Sequence, residues 1–275
     1  MPKMIRFQSY SLFLILGGIF VGTVVFISLL ACFYLPDNAF ATDSATKLAA
    51  PSASHIFGCD HEGRDVLSRV MLGTHPTITI SLFGVAIALS LGMVIGSVAG
   101  HFGGIIDNVL MLLSDSIMAF PGILLALVFV AVIGKGLPGI ILGLGIVFAP
   151  SYARIFRTGI RQLKNREYIL LAKLIGVKTP RLLWIHLFPG LIPQLAPAVV
   201  VGIANMALAE AGLSYLGQGV QVPDPSLGNM LMEGQSYVTT APWIIIFPSL
   251  FLVLYVLGLY FFSEGIRIKF KSGGV

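Results

Sequence analysis

The sequence predicts an all-α polytopic membrane protein with six transmembrane helices. Three observations carry that prediction. Charged residues make up 11% of the 275 and apolar residues 56%, against about 25% charged in an ordinary soluble domain. Six stretches approach or exceed the roughly 20 apolar residues that a bilayer core requires. None of them shows the strict alternation of an outer-membrane strand. Too few charges are present to cover a water-soluble globule, so the composition excludes a soluble enzyme, a nucleic-acid binder and a disordered chain. Two cysteines exclude a disulfide scaffold and a Cys-rich metal centre.

The first span, residues 11–34, carries no charge. Lys3 and Arg6 precede it and Ala39-Phe40-Ala41 resembles a cleavage site. The apolar run nevertheless exceeds the ~7–15 residues of a signal core, so the reading is an uncleaved anchor. The second, 78–100, is uncharged between His75 and His101. The third, 105–133, is interrupted by Asp107 and Asp115. The fourth, 137–153, is short and Gly-rich. The fifth, 187–213, holds Glu210, and the sixth is 242–262.

Orientation follows from the loop cations. With the N-terminus in the cytoplasm, 13 Lys and Arg fall inside and four outside, and eight of those inside lie in residues 154–181. Both termini are therefore expected in the cytoplasm, and the net charge of +5 is topology-setting charge, with no nucleic-acid patch implied.

Two loops carry pattern. In the outer loop, 35–74, the first half reads as coil and residues 60–73 as a short surface helix. Val66, Leu67, Val70 and Met71 share its apolar face, and Asp65 and Arg69 pair on the other. In the inner loop, residues 161–175 read as a basic amphipathic helix, Gly176 as its stop, and Thr179-Pro180 as the N-cap and first position of a helix running to Leu187. A protrusion of this size suits docking of a soluble partner. The plainer alternative is a lipid-facing loop whose cations only set topology.

The same residues resemble the coupling loop ("EAA loop") of permease subunits in ATP-binding-cassette importers. The match covers Glu167-Tyr168, Ala172, Gly176 and Pro189, and departs from the family pattern at Leu170 and Leu171. Three further stretches are similar to peptide/nickel-type permeases of the second, "C" kind. They are residues 55–69, residues 209–217 with 223–231, and Gly265-Ile266-Arg267. The resemblance covers nearly the whole chain. It implies a type I importer permease fold with an anchor and extracytoplasmic loop at 1–74, a permease core at 75–275 and an ATPase-coupling loop at about 158–187. Glu167, Leu170, Leu171, Ala172, Gly176 and Pro189 would form the coupling element.

The implied partners are a second homologous permease, two cytoplasmic ATP-binding subunits, an extracytoplasmic solute-binding protein and the lipid bilayer of the bacterial cytoplasmic membrane. The solute would be a short peptide or nickel carried as a chelate. The chain holds no Gly-x-x-x-x-Gly-Lys-Ser/Thr loop, so it is read as a pore-forming subunit without catalytic residues or a cofactor of its own, ATP being bound by its partners.

Within the spans, Asp115, Asn205 and Glu210 are the candidate pathway residues, since intramembrane acids are costly and usually functional. Asp107 lies near the inner end and is expected to be solvated. Asp115 is also open to a reading as a structural bond to a neighbouring span, and Glu210 to one as an interface hydrogen bond or outer gate. Pro189, Pro193 and Pro197 are read as a kinked helix start. His55, Cys59, Asp60, His61 and Glu62 offer metal-ligand chemistry, but most of them fall on a motif that does not depend on Cys or His, and no metal is assigned. Cys32 and Cys59 both lie outside, where a disulfide is open to them. Two other classes compete: a proton-coupled secondary transporter using Asp115 and Glu210, and a scaffold subunit without a pore.

Overall fold

The structure is a computed structural model and describes residues 3–178 and 181–272. Among the described residues nine α-helices follow in chain order: α1 (Lys3–Leu30), α2 (Val66–Phe102), α3 (Gly104–Met118), α4 (Gly122–Ile133), α5 (Leu137–Leu163), α6 (Glu167–Leu174), α7 (Phe188–Tyr215), α8 (Leu227–Gly234) and α9 (Trp243–Ser272). A π-helical turn, Leu182–Leu187, leads into α7, and a 3₁₀ turn, Gln235–Tyr237, follows α8. Among the described residues the only β-pairing is an isolated bridge between Cys59 and Asp65.

Helices α1, α2, α5, α7 with its π turn, and α9 are each long and apolar enough to cross a membrane. The sixth candidate span is the pair α3 and α4, together apolar and long enough to cross but bent by 96° at the break between them. The break has a local cause. Pro121 has no N–H and disfavours helical backbone at Phe120, and Gly122 then opens α4. The expected unbroken third span is corrected accordingly.

Two other expectations change. The surface helix at 60–73 does not exist as a separate element, because from Val66 it is the first part of α2, whose 37 residues span about 55 Å at 1.5 Å per residue. The expected boundary at residue 74 thus falls inside a helix. The fourth span does not stop at residue 153 but runs on to Leu163. Arg154, Arg157 and Arg161 therefore sit on a span-forming helix. The amphipathic segment 161–175 is split by a turn at 164–166 before α6 begins. Thr179 and Pro180 lie outside the described residues.

Small residues set the tightest packing. A Cβ on Gly92 would lie 2.5 Å from Tyr152 Cβ, and one on Gly96 would collide with the carbonyl of Ala153, so α2 and α5 approach at backbone distance, as membrane helices do through small residues. Val66, Val70, Leu227, Ile244 and Tyr255 fill the core at one end of the bundle, called the outer end after the expected orientation. Ile80, Ile140, Leu144, Met206 and Leu213 fill the middle. Phe156, Ile160, Ile169, Leu182, Leu187 and Leu191 close the inner end. Large apolar side chains such as Phe26, Phe83, Ile105 and Val132 are exposed on the outside, the surface expected of helices solvated by lipid.

Candidate functional site: inner-end loop, polar groove and outer cap

At the inner end, α6 presents two faces. Ile169 and Ala172 are buried against Phe156, Ile160, Leu187 and Leu191. Tyr168, Leu171 and Leu174 are exposed, by 50%, 60% and 84%, and Ile175 beyond them by 73%. Together with Glu167, the first three line an open hollow. Gly176 ends the helix as expected, with φ of +82°. The N–H of Val177 reaches back to the carbonyl of Ala172 at 3.1 Å, which is the closing bond of a Schellman motif. Ala172 and Gly176 thus form one cap. Leu170 lies within α6, its side chain outside the described ones, and Pro189 is exposed in the first turn of α7.

A groove of about 590 Å³ with a mixed apolar and polar lining runs between α5, α7 and α9. Ser151, Gln194, Asn205, Ser263, Glu264 and Arg267 supply its polar lining. Asn205 accepts a 2.7 Å hydrogen bond from the Tyr260 hydroxyl. The sequence singled out Asn205 alone. Gln194, Tyr260 and Glu264 were missed, although Glu264, at a polar position just beyond the sixth apolar run, was visible as a signal.

Glu210 and Asp115 are not among the residues that line this groove. Glu210 is fully buried, accepting hydrogen bonds of 2.7 Å from Thr77 on α2 and from Ser214 one turn on. Ser214 in turn accepts from the N–H of Val220. The carboxylate ties α7 to α2. Asp115 is exposed and forms an ion pair of 2.6 Å with Arg154. Asp107 is not solvated. It is 2% exposed and held by Arg157 and Arg161. The cations that the sequence assigned to a loop are the partners of the acids that it found in a span.

The outer end is a cap built from the 55–69 motif. Asp65 is the N-cap of α2 and accepts from Ser68 N at 2.8 Å. Arg69 does not pair with it on an exposed face. It is buried, and donates to Glu233 on α8 at 3.0 Å. Arg64 bridges Asp60 at 2.7 Å, Glu62 at 2.9 Å and Glu233 at 3.0 Å. Trp243 Nε1 donates to the carbonyl of Cys59 at 3.0 Å. Asp60, His61 and Glu233 each offer one ligand atom within 4.8 Å of one another. The two carboxylates of that trio are already held by Arg64 and Arg69, so the cluster is an ion-pair network. His55 is bonded to Asp65 at 3.1 Å. The disulfide is not formed: Cys32 is exposed, Cys59 is buried, and both are free. Burial and then the charge of Asp65 push the Cys59 thiol above its ordinary range, which disfavours the thiolate form.

Residues 92–267 match the family described as binding-protein-dependent transport system inner membrane component. The chain is 32% identical over 92% of its length to the dipeptide transport system permease protein of Alkalihalophilus pseudofirmus, covering 83% of that protein. It is 34% identical over 91% of its length to the glutathione transport system permease protein of Pectobacterium atrosepticum, covering 84%. It is 32% identical over 92% of its length to the nickel transport system permease protein of Escherichia coli K12, covering 91%. In fold it is similar to a chain of the inward-facing MetNI methionine ABC transporter, with a TM-score of 0.59 and 18% identity over 72% of this chain and 94% of that one. These relatives are permease proteins, which sets aside the proton-coupled alternative. The six-span, all-helical bundle with its helix–Gly loop and groove belongs to the binding-protein-dependent transport system inner membrane component family, and the chain is a multi-pass permease subunit of an ATP-binding-cassette importer in the bacterial cytoplasmic membrane.

Proposed function

We propose that the chain is one half of a translocation pore that passes short peptides, or nickel as a chelate, into the cytoplasm by alternating access. The observation that carries the reading is the two-faced α6. Its buried side ties it to α5 and α7 through Ile169 and Ala172, and its exposed side offers Tyr168, Leu171 and Leu174 to a partner. A helix so held acts as a lever. ATP-binding subunits that grip the exposed ridge and close on ATP displace α6 and with it the inner ends of both spans. ATP supplies the energy through its differential affinity for the two global states. In this reading Glu167, Leu170 and Leu171 belong to the gripped surface, Ala172 and Gly176 set the shape of the loop, and Pro189 starts the attached span.

ATP hydrolysis then belongs to the partner subunits, and a second permease faces the groove bearing Asn205. An extracytoplasmic binding protein delivers solute to the outer cap. Both termini lie in the cytoplasm, α1 and the loop up to Asp65 act as anchor and outer loop, and the helices from α2 onward act as the core. Relatives that carry dipeptides, glutathione and nickel share similar identity with this chain, so the solute is a small hydrophilic molecule. The test is uptake into proteoliposomes holding the assembled importer. Labelled dipeptide or nickel should accumulate only with binding protein outside and ATP inside. Accumulation driven by a proton gradient without ATP would overturn the reading.

A further inference from the structure

Over the inner half of α5 the entire exposed stripe is polar. Ser151, Arg154, Thr158 and Gln162 are the exposed positions, spaced three, four and four residues apart and so aligned on one helix face. No large apolar side chain is exposed between Leu142 and Tyr168. Helix α3 differs. Its exposed Ile105, Val109, Leu112 and Leu113 form an apolar face suited to lipid, while Asn108 and Asp115, seven residues apart, lie together along the edge of that face.

The Asp115–Arg154 pair joins the two polar faces. Its side chains are 58% and 52% exposed. Asp115 lies eleven residues into α3 and Arg154 nine before the end of α5, hence ~16 Å and ~14 Å from those ends. On span-forming helices an exposed guanidinium and carboxylate face water or the interior of an assembly, and not hydrocarbon. Ser151, one turn from Arg154, also lines the groove that holds Asn205, so the stripe meets the groove at that residue.

We propose that the inner half of the translocation pathway runs along this α5 stripe and that the Asp115–Arg154 pair is its charge-reading element. Arg154 meets solute carboxylates and Asp115 meets solute cations. The inference rests on the permease reading and adds residues and solute chemistry to it. The pathway takes a hydrophilic solute carrying both a carboxylate and a cationic group, a chemistry that a zwitterionic peptide and a carboxylate chelate of a metal share. Paired, the two side chains leave the path without net charge, and each offers its charge to an arriving solute group of opposite sign.

The test uses the assembled importer in membrane vesicles with Cys32→Ser, Cys59 being buried. Thr158→Cys is treated with a cationic and an anionic methanethiosulfonate reagent, and Ser151→Cys serves as the second probe. Both probes should react with both water-soluble reagents. Adding Arg154→Gln should raise the cation-to-anion rate ratio by about three- to tenfold, and adding Asp115→Asn should lower it by a similar factor. The double neutral variant should return the ratio to near its starting value. Reaction at both probes only with a membrane-permeant maleimide would place the stripe in lipid and overturn the proposal. So would crosslinking of both probes to a partner chain without any reaction with the water-soluble reagents. Ratios that move less than twofold in both single variants would overturn the charge-reading role. ATP-dependent uptake by the same vesicles reports the permease reading separately: vesicles that transport but leave both cysteines unreactive sink the pathway assignment alone.

Discussion

Arg157 on α5 grips Asp107 on α3 through both of its donor edges, one bond measuring 2.8 Å, with the carboxylate 2% exposed. Arg161 adds a third bond one turn further on. The interaction fixes the inner end of the broken span against α5. Asp107→Ala should destabilise the solubilised protein by about 3 kcal/mol, the low end for a broken buried pair, because Arg157 is itself 26% exposed. Removing both charges, with Asp107→Leu and Arg157→Met, should cost less than the single change. Thermal unfolding in detergent measures both.

Glu210 should matter as an acceptor and not as a proton carrier, because its bond from Thr77 ties α2 to α7 and its bond from Ser214 holds the hydroxyl that accepts from Val220 in the following loop. Glu210→Gln should transport at close to the wild-type rate. Glu210→Ala leaves two buried hydroxyls without their acceptor and should lose about 1–3 kcal/mol of stability. Transport at several pH values, together with melting temperature, distinguishes the two roles. A Gln variant that folds but does not transport contradicts this assignment.

The α2–α5 contact predicts a contrast between two membrane glycines. A side chain at Gly96 collides with Ala153 backbone, whereas nothing lies within 4 Å of a Cβ at Gly22. Gly96→Val should cost about 1–3 kcal/mol or more, the range of overpacking, and lower the yield of folded protein. Gly22→Ala should be neutral. Equal melting temperatures for the two variants would contradict the packing described.

Much of this was legible before the structure. Hydropathy located the spans, and the glycine signal placed the end of α6 within two residues. The broken third span was not read, although Phe120-Pro121-Gly122 stood in the middle of the run, because an average over an apolar window hides a single proline. The arginines at 154, 157 and 161 were counted as loop cations, since charge near an apolar run marks its end by default. Their spacing of three and four residues, with Asp107 and Asp115 in the preceding span, was the available signal that they continue the helix and pair across it. Burial of Glu210 was not readable, because which face of a helix meets its neighbours depends on packing between segments distant in sequence.

Gly176 should tolerate only residues that accept left-handed backbone. No atom crowds its Cβ position, so the penalty is conformational alone, about 1–2 kcal/mol for a residue such as Val, whereas Asn should be accepted. Gly176→Val should reduce uptake without lowering the melting temperature of the bundle by more than a few degrees, and Gly176→Asn should restore uptake. Side-by-side uptake and thermal measurements check this.

The central claim is that the exposed ridge of α6 is where ATP-driven motion enters the chain. It is tested most directly by purifying the C-terminally tagged protein from its membranes in mild detergent and identifying what accompanies it by mass spectrometry, for wild type and for Leu171→Asp with Leu174→Asp. The account predicts a second permease and Walker-type ATPases with the wild type. With the variant, the ATPases should be lost while the second permease is retained. Recovery of the ATPases in equal amount with the variant, or their absence from the wild type under conditions that preserve other membrane complexes, would contradict it.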